Sequence, residues 1–462
     1  MSPSVAGAGA ERRAAQSSHA PFLQALRAAG RLLFVAGLLG QPRPALAGDP
    51  VVTLAEAQQH ALATHDRIRA ADAGREKAAV APWRAVSALA PSVRESASYT
   101  REKEEIAFPS DVQAALQGLP PVVIAQDVVR NVLSVGQPLY THQFWALRDI
   151  GDAEVKRSDE VYRAARQDVL LAVTAAYYDE LRARALDEVA RQTEGLTDVE
   201  IEHARARVRA GEAVESDVLR VQTERARVTQ RTVETSGLVE TSHDVLRRLA
   251  SLKGPFSVTE PAPRKLDIAS VEPFLEAART RNPNLKELEA QVDVARGEEE
   301  RRAAALYPTL GLEFNYQNLN HDTFADRNDF WNLVVRAQVP IFEAGGSRWL
   351  DLSEQRAVVA QTRAELSGFE RDLEVNVRRA WVTARTLEAR RIAAEEELRL
   401  ANDTYRMLSD QYTAGVATNL DVLTALNTLA TARANVASTR YAEAVARVQL
   451  ERVAGTLGEV EP

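Results

Sequence analysis

The chain has 462 residues, 45% of them hydrophobic, 26% charged and only 6% aromatic, with a formal charge of −8. Cysteine is absent, which excludes disulfides, thiol catalysis, Cys-ligated zinc or iron–sulfur clusters and a lipidated N-terminal cysteine. The acidic balance argues against nucleic acid as a partner, and an Ala/Glu/Arg/Leu-rich chain poor in aromatics favours long helices over large globular cores.

Residues 1–47 read as a signal peptide. Arg27 and Arg31 precede the apolar run Leu32 to Gly40, and Ala45-Leu46-Ala47 offers a cleavage site ahead of Gly48. The run is too short to span a bilayer, which takes about 20 residues. Removing the five Arg and one Glu of this segment takes the formal charge from −8 to −12.

Leu54 to Ala90 then has helical periodicity, which Pro91 stops. The stretch after it, "SVRESASYT", is weakly alternating, with only Val93, Ala97 and Tyr99 on its apolar side. It is assigned as a strand chiefly because its later counterpart is one. A long segment and "VGQPLY" follow, and then helical pattern from Thr141 to Ala210, which at about 1.5 Å per residue extends roughly 100 Å. The turn "AGEAVESDVL" leads into a further helix over about 216–252.

"EPAPRKLD", Glu260 to Asp267, carries two prolines and joins this unit to a second copy of the same plan. "ASVEPFLEAARTRNPNLKE" aligns with "VTLAEAQQHALATHDRIRA", and "LYPTL" with "LAPSV". The second copy shows strands best. Leu310, Leu312, Phe314 and Tyr316 alternate with Thr309, Gly311, Glu313 and Asn315. In "FWNLVVRAQVPIF", Trp331, Leu333, Val335, Ala337, Val339 and Ile341 oppose Asn332, Arg336 and Gln338. Period-two alternation of this kind means one apolar and one polar face. The closing long helix has a coiled-coil seam, Leu398, Ala401, Tyr405, Leu408 and Tyr412, before the turn "AGVATNLDVL". The chain therefore divides into a signal peptide (1–47), a first repeat (48–259), a linker (260–268) and a second repeat (269–462).

Four strands cannot close a barrel alone, since the smallest common barrels use about eight. Their apolar face, with Tyr316, Phe330 and Trp331 near one end, has the character of a membrane surface with an interfacial aromatic belt. The duplicated helix–strand–strand–helix plan, "RNPNL", "VPIFEAGGSRW" and the twin Ala-Gly turns together resemble the outer-membrane efflux proteins, the TolC-like channels. The resemblance covers essentially the whole mature chain. It implies an α+β membrane protein in which long coiled-coil helices form a periplasmic α-barrel. Four strands per chain contribute to a trimeric outer-membrane β-barrel of twelve strands. It implies a homotrimer in outer-membrane lipid that docks a periplasmic adaptor and an inner-membrane transporter, and passively conducts efflux or type I secretion substrates. Leu310, Leu312, Phe314, Tyr316, Trp331, Leu333 and Val335 then face lipid. The segment Arg101 to Asn131 becomes the first extracellular loop.

On the same resemblance the two turns are the periplasmic tips. Gly211 and Gly415 supply the left-handed residue that a helix C-terminus commonly needs. Val218, Leu219, Val422 and Leu423 lie beside the turns as adaptor-contact residues. Asp421 matches a gate-ring aspartate, and Tyr412 and Asp217 match residues of an inter-hairpin lock. A second ring aspartate is replaced by Thr424, and an arginine of the lock by Ala417. Read from the residues alone, Asp217 and Asp421 serve equally well as helix caps or first-turn acids.

No phosphate-cradling glycine loop, G-x-S-x-G or H-E-x-x-H occurs, so no catalytic, metal or cofactor residue is assigned. The histidines are scattered and read as isolated surface residues. The rival to a duct is a soluble periplasmic coiled-coil protein of structural or adhesive role, its strands forming a small sheet.

Overall fold

The computed structural model describes residues 50–115, 122–262, 266–320, 328–342 and 344–458. The expected signal peptide, part of the linker and part of the first loop lie outside these residues. The first repeat opens with β1 (Val51–Val52), α1 (Leu54–Thr64), α2 (Asp66–Ala79) and α3 (Ala81–Ser87). One continuous helix over 54–90 was expected, and the structure corrects this to three. The first break falls at His65 (φ −67°, ψ 131°), whose Nδ1 accepts the Arg67 N–H at 3.1 Å and so caps α2. The second falls at Val80, because Pro82 at the start of α3 has no N–H to continue the helical ladder.

Next come β2 (Ser92–Arg101), β3 (Ile106–Ala107), α4 (Ser110–Ala115), β4 (Val122–Ile124) and β5 (Asp127–Tyr140). Two long helices complete the repeat: α5 (Gln143–Arg209), of 67 residues, and α6 (Glu215–Leu249), of 35. After β6 (Ser257–Val258) the plan recurs as α7 (Glu272–Arg281), α8 (Pro283–Ala304), β7 (Thr309–Leu319) and β8 (Asp329–Gln338). It ends with α9 (Ser347–Thr413), again 67 residues, and α10 (Asn419–Ala454).

The motif "RNPNL" has a local cause. Asn282 leaves the helical conformation (φ −63°, ψ 118°), and its Oδ1 accepts the N–H groups of Asn284 and Leu285 at 2.9 and 3.1 Å. Pro283 takes the first helical position, where its missing N–H costs nothing. Asn282 Nδ2 donates to Val453 O at 2.8 Å, tying the break to the end of α10. His65 performs the equivalent break in the first repeat.

The strands form one antiparallel sheet in the order β2-β5-β7-β8. Register pairs Leu312 with Val335, Phe314 with Leu333 and Tyr316 with Trp331, while Val135 faces Phe314 and Leu133 faces Tyr316. Directly opposite residues share a face, so these side chains form one apolar surface. Trp331, Leu333 and Val335 are 66%, 57% and 65% exposed on it. The weak strand β2 is a full ten-residue partner of β5 and brings Val93 onto the same surface. One detail of the expected pattern fails. The strand β8 stops at Gln338, because Pro340 cannot donate and holds Val339 away from the ladder, so Val339 and Ile341 lie beyond the sheet.

The helices pack lengthwise. α1 to α3 follow the first part of α5, with Gln58 donating to Thr174 at 2.8 Å and Arg75 to Asp159 at 2.7 Å. α6 follows the remainder, where Arg225 donates to Asp198 at 2.6 Å and Thr235 to Asp187 at 3.0 Å. α10 packs on both α9 and α5 and joins the two repeats. Alanine recurs through the buried clusters, as at Ala57, Ala61, Ala176, Ala384 and Ala432. Small side chains let helices approach closely along their whole length, which accounts for a core with so few aromatics. One exception is Tyr177, fully buried, whose hydroxyl lies 2.9 Å from Val52 O and 2.7 Å from Thr259 O and clips the parallel β1–β6 pair to α5. Burial pushes its hydroxyl above the ordinary tyrosine range.

Among the described residues no helix is long and apolar enough to cross a membrane.

Candidate functional site at the paired helix turns

The two Ala-Gly turns are the same structure. Gly211 adopts φ +75° and Gly415 φ +78°. In the first, Glu212 N–H donates to Arg207 O at 2.9 Å and Gly211 N–H to Val208 O at 3.1 Å. In the second, Val416 N–H donates to Gln411 O at 2.8 Å and Gly415 N–H to Tyr412 O at 3.1 Å. Both are the paired closure of a Schellman motif, which satisfies carbonyls that the helix end leaves open. Nothing lies within 4 Å of a Cβ built on Gly211, and only Arg207 Nη2, at 3.8 Å, lies near one on Gly415. The demand for glycine is conformational. Alanine at either position is expected to lower stability by roughly 1–2 kcal/mol, measurable as a fall in the thermal midpoint of the purified protein.

The returning helices begin differently. α10 starts with a capping box: Thr418 N–H and Oγ1 donate to Asp421 Oδ2 at 3.0 and 2.6 Å, and Asp421 N–H donates to Thr418 Oγ1 at 3.3 Å. The Thr418 hydroxyl first, and its N–H second, hold the exposed Asp421 carboxyl below the usual aspartate range. Asp421 is thus a first-turn acid and Thr418 the cap. α6 has Val214 at its cap position and no side-chain cap, and Asp217 pairs with Arg220 at 3.1 Å. Neither aspartate is an N-cap.

Between the turns the two repeats are joined by contacts that sequence reasoning missed. Arg207, on the last turn of α5, lies over the Tyr412 ring with its guanidinium carbon 4.7 Å from the centroid. Its Nη1 also donates to Tyr412 O at 2.9 Å. Tyr412 is 3% exposed, and its hydroxyl accepts from Asn419 Nδ2 at 3.5 Å. Tyr412 and Asp217 do not bond to each other: Tyr412 contacts Arg207 and Asn419, and Asp217 pairs with Arg220. Arg207 thereby ties the end of α5 to the end of α9.

Two turns further from the tip, the buried Glu200 accepts from Tyr405 Oη at 2.9 Å and Ser409 Oγ at 3.3 Å, with His203 Nδ1 3.4 Å away. Burial, then the facing carboxylate, push the Tyr405 hydroxyl far above the ordinary tyrosine range. Three of the histidines are not isolated: His203 faces Glu200, His243 lies 3.4 Å from the buried Glu180 and stacks on Phe256, and His142 stacks on Tyr307. The Glu200 bridge carried no distinctive sequence signal. Arg207 carried none either, being one of three alternating arginines, Arg205, Arg207 and Arg209, ahead of the first Ala-Gly turn.

The apolar residues beside the turns differ in exposure. Val422 and Leu423 are 1% and 6% exposed, held in clusters with Leu426 and Leu429 and with Ile201 and Val221. Val218 packs partly against the second of these clusters. Leu219 alone of the four is exposed, and the other exposed apolar side chains at the tips are Val214, Val416 and Leu420. The reason is helical phase: in α10 positions 422 and 426 face α9 and 423 faces α5 and α6, whereas 420 points outward.

The outer membrane efflux protein family model matches residues 57–251 and 274–456, one stretch in each repeat. The chain belongs to the outer membrane efflux protein family. Outer membrane protein TolC of Vibrio cholerae is 24% identical over 437 residues, covering 92% of this chain and 95% of its own. The alkaline protease secretion protein AprF of Pseudomonas aeruginosa is 26% identical over 349 residues, covering 72% and 70%. Among solved structures, CusC superposes with a TM-score of 0.73 at 17% identity, over 87% of this chain and 92% of its own. VceC of Vibrio cholerae does so with 0.71 at 18% identity, over 87% and 96%. Membership makes this an outer-membrane transport protein and not an enzyme.

Proposed function

We propose that three copies of the chain close one β-barrel in the outer membrane and one helical tunnel beneath it. The assembly forms the exit duct of a tripartite efflux or type I secretion system. The observation that carries this reading is the open sheet. Among the described residues its edge strands β2 and β8 have no partner on their outer sides, and one face carries a broad exposed apolar surface around Leu333 and Val335. An exposed edge and face of this size call for covering. Since β8 runs antiparallel to β2, a neighbour's β2 can continue the ladder beside β8, and rotation closes the ring. Two copies make about eight strands, a barrel filled by its own side chains; three leave a lumen.

In this duct the turns at Gly211 and Gly415 are the periplasmic tips that meet an adaptor, presenting Val214, Leu219, Val416 and Leu420 to it. An inner-membrane transporter supplies the energy. The Arg207–Tyr412 contact holds the two hairpins of one chain together at the closed end, and Asp421 from each chain lines the constriction. Secretion and export relatives such as AprF and the pyoverdine export outer membrane protein OpmQ support the exit role.

The test is assembly. Protein extracted in detergent should measure as a trimer by light scattering and give single-channel steps in planar bilayers; a detergent-free, monodisperse monomer with folded sheet overturns the reading. Arg207→Ala removes a cation–π contact and a charge-assisted hydrogen bond, together worth roughly 2 kcal/mol. It should raise the mean conductance of the closed pore without dissociating the trimer.

A further inference from the structure

We infer that the barrel section of the duct prefers anionic cargo; the inference rests on the barrel reading above. Register sorts every charged residue of the sheet. The face opposite Leu333 and Val335 carries Arg94, Arg130, Glu313 and Arg336. In a closed barrel with its apolar side to lipid, that face lines the lumen. Arg336 Nη2 lies 3.1 Å from Glu313 Oε2, and Asn315 also donates to that carboxylate, at 3.3 Å. The one acid of the face is therefore spent on one of its three arginines.

Arg94 and Arg130 are exposed and meet no carboxylate among the described residues, and their neighbours on the face are uncharged: Ser134, Asn315 and Asn332 beside Arg94, Ser98 and Leu319 beside Arg130. The remaining acids of the sheet, Glu95, Asp127 and Asp329, lie on the opposite face, where Asp127 sits 3.7 Å from Arg101. Each chain thus contributes two uncompensated guanidinium groups to the lumen, and rotation repeats them as rings. Rings of arginine favour anions.

This charge opposes that of the tip, and geometry decides which acts on cargo. Charges farther apart than a Debye length, about 8 Å at physiological salt, are largely screened. Tips that part for cargo carry Asp421 away from the axis. The barrel's width is set by its strand number and does not change. Cargo in the upper duct therefore always meets the arginines, which favours solutes of net negative charge.

The experiment is reversal-potential measurement on single trimers in a potassium chloride gradient near 0.01 M, where the Debye length is roughly 30 Å. Asp421→Asn, which removes the tip carboxylates, should show the sign of chloride preference. Adding Arg94→Gln and Arg130→Gln should abolish that preference, and Arg94→Lys with Arg130→Lys should retain it. Should the glutamine pair fail to assemble, Arg336→Gln, which frees Glu313, should shift the potential toward potassium in the same background. Potassium preference in Asp421→Asn alone, or a potential indifferent to the arginines, overturns the inference. Absence of any conductance step from the wild-type trimer overturns the pore reading instead.

Discussion

Val335→Arg is expected to cost about 2–4 kcal/mol of assembly free energy if position 335 lies near mid-bilayer, and Val334→Arg next to it far less. Val335 is 65% exposed, lies directly across from Leu312 and shares its face with Phe314 and Leu333. A guanidinium there must reach through hydrocarbon to find water. Val334 points to the other, polar face and lies across from Glu313, where an arginine meets water and not hydrocarbon. The pair is matched for depth, so a difference reports orientation alone. Gln338→Arg, also on the polar face, should alter conductance more than assembly. The readout is the fraction of heat-stable trimer on semi-native gels after outer-membrane extraction. Equal loss for the two valine variants would show that the faces have been misassigned.

Cation selectivity that weakens as pH falls is the second large expected effect, and Asp421→Asn should remove it together with its pH dependence. Two influences set the titration. The Thr418 hydroxyl and N–H favour the carboxylate and move protonation to lower pH; three carboxylates drawn close in a ring disfavour full ionisation and move it up. The capping bonds strengthen the tip above the ordinary aspartate range and are lost as pH falls through the depressed value. Thr418→Ala removes the larger of the two local causes, so selectivity should fade at higher pH than in the wild type. Losing this cap should also cost about 1 kcal/mol of helix stability. Asn at position 421 can still accept the Thr418 N–H, so assembly should survive. Single-channel recordings across a pH series decide the matter: superimposable selectivity curves for wild type and Asp421→Asn leave the residue a first-turn acid of the capping box and nothing more.

Much of the molecule is written in short-range pattern. Alternation in "TLGLEFNYQN" and "FWNLVVRAQ" names the apolar face of β7 and β8 without reference to any other residue, because a pleated strand turns alternate side chains to opposite sides. Gly211 and Gly415 mark the tips because their backbone conformation is costly for other residues. The repeat itself is legible as order: helix, two strands, long helix, turn, helix. What the tertiary structure alone decided is which surfaces of those elements meet. Arg207 finds Tyr412, and Glu200 finds Tyr405, across more than two hundred residues of chain. Val422 and Leu423 look from sequence like available tip residues, yet packing against α9 and against α5 and α6 respectively buries them. Glu313 neutralises Arg336 and leaves Arg94 and Arg130 bare only because register sets the strands as it does. Local pattern fixes what one turn or one strand can do, since its forces act within a few residues. The choice of partner depends on the phase of long helices and the register of paired strands, which is settled only when distant segments pack.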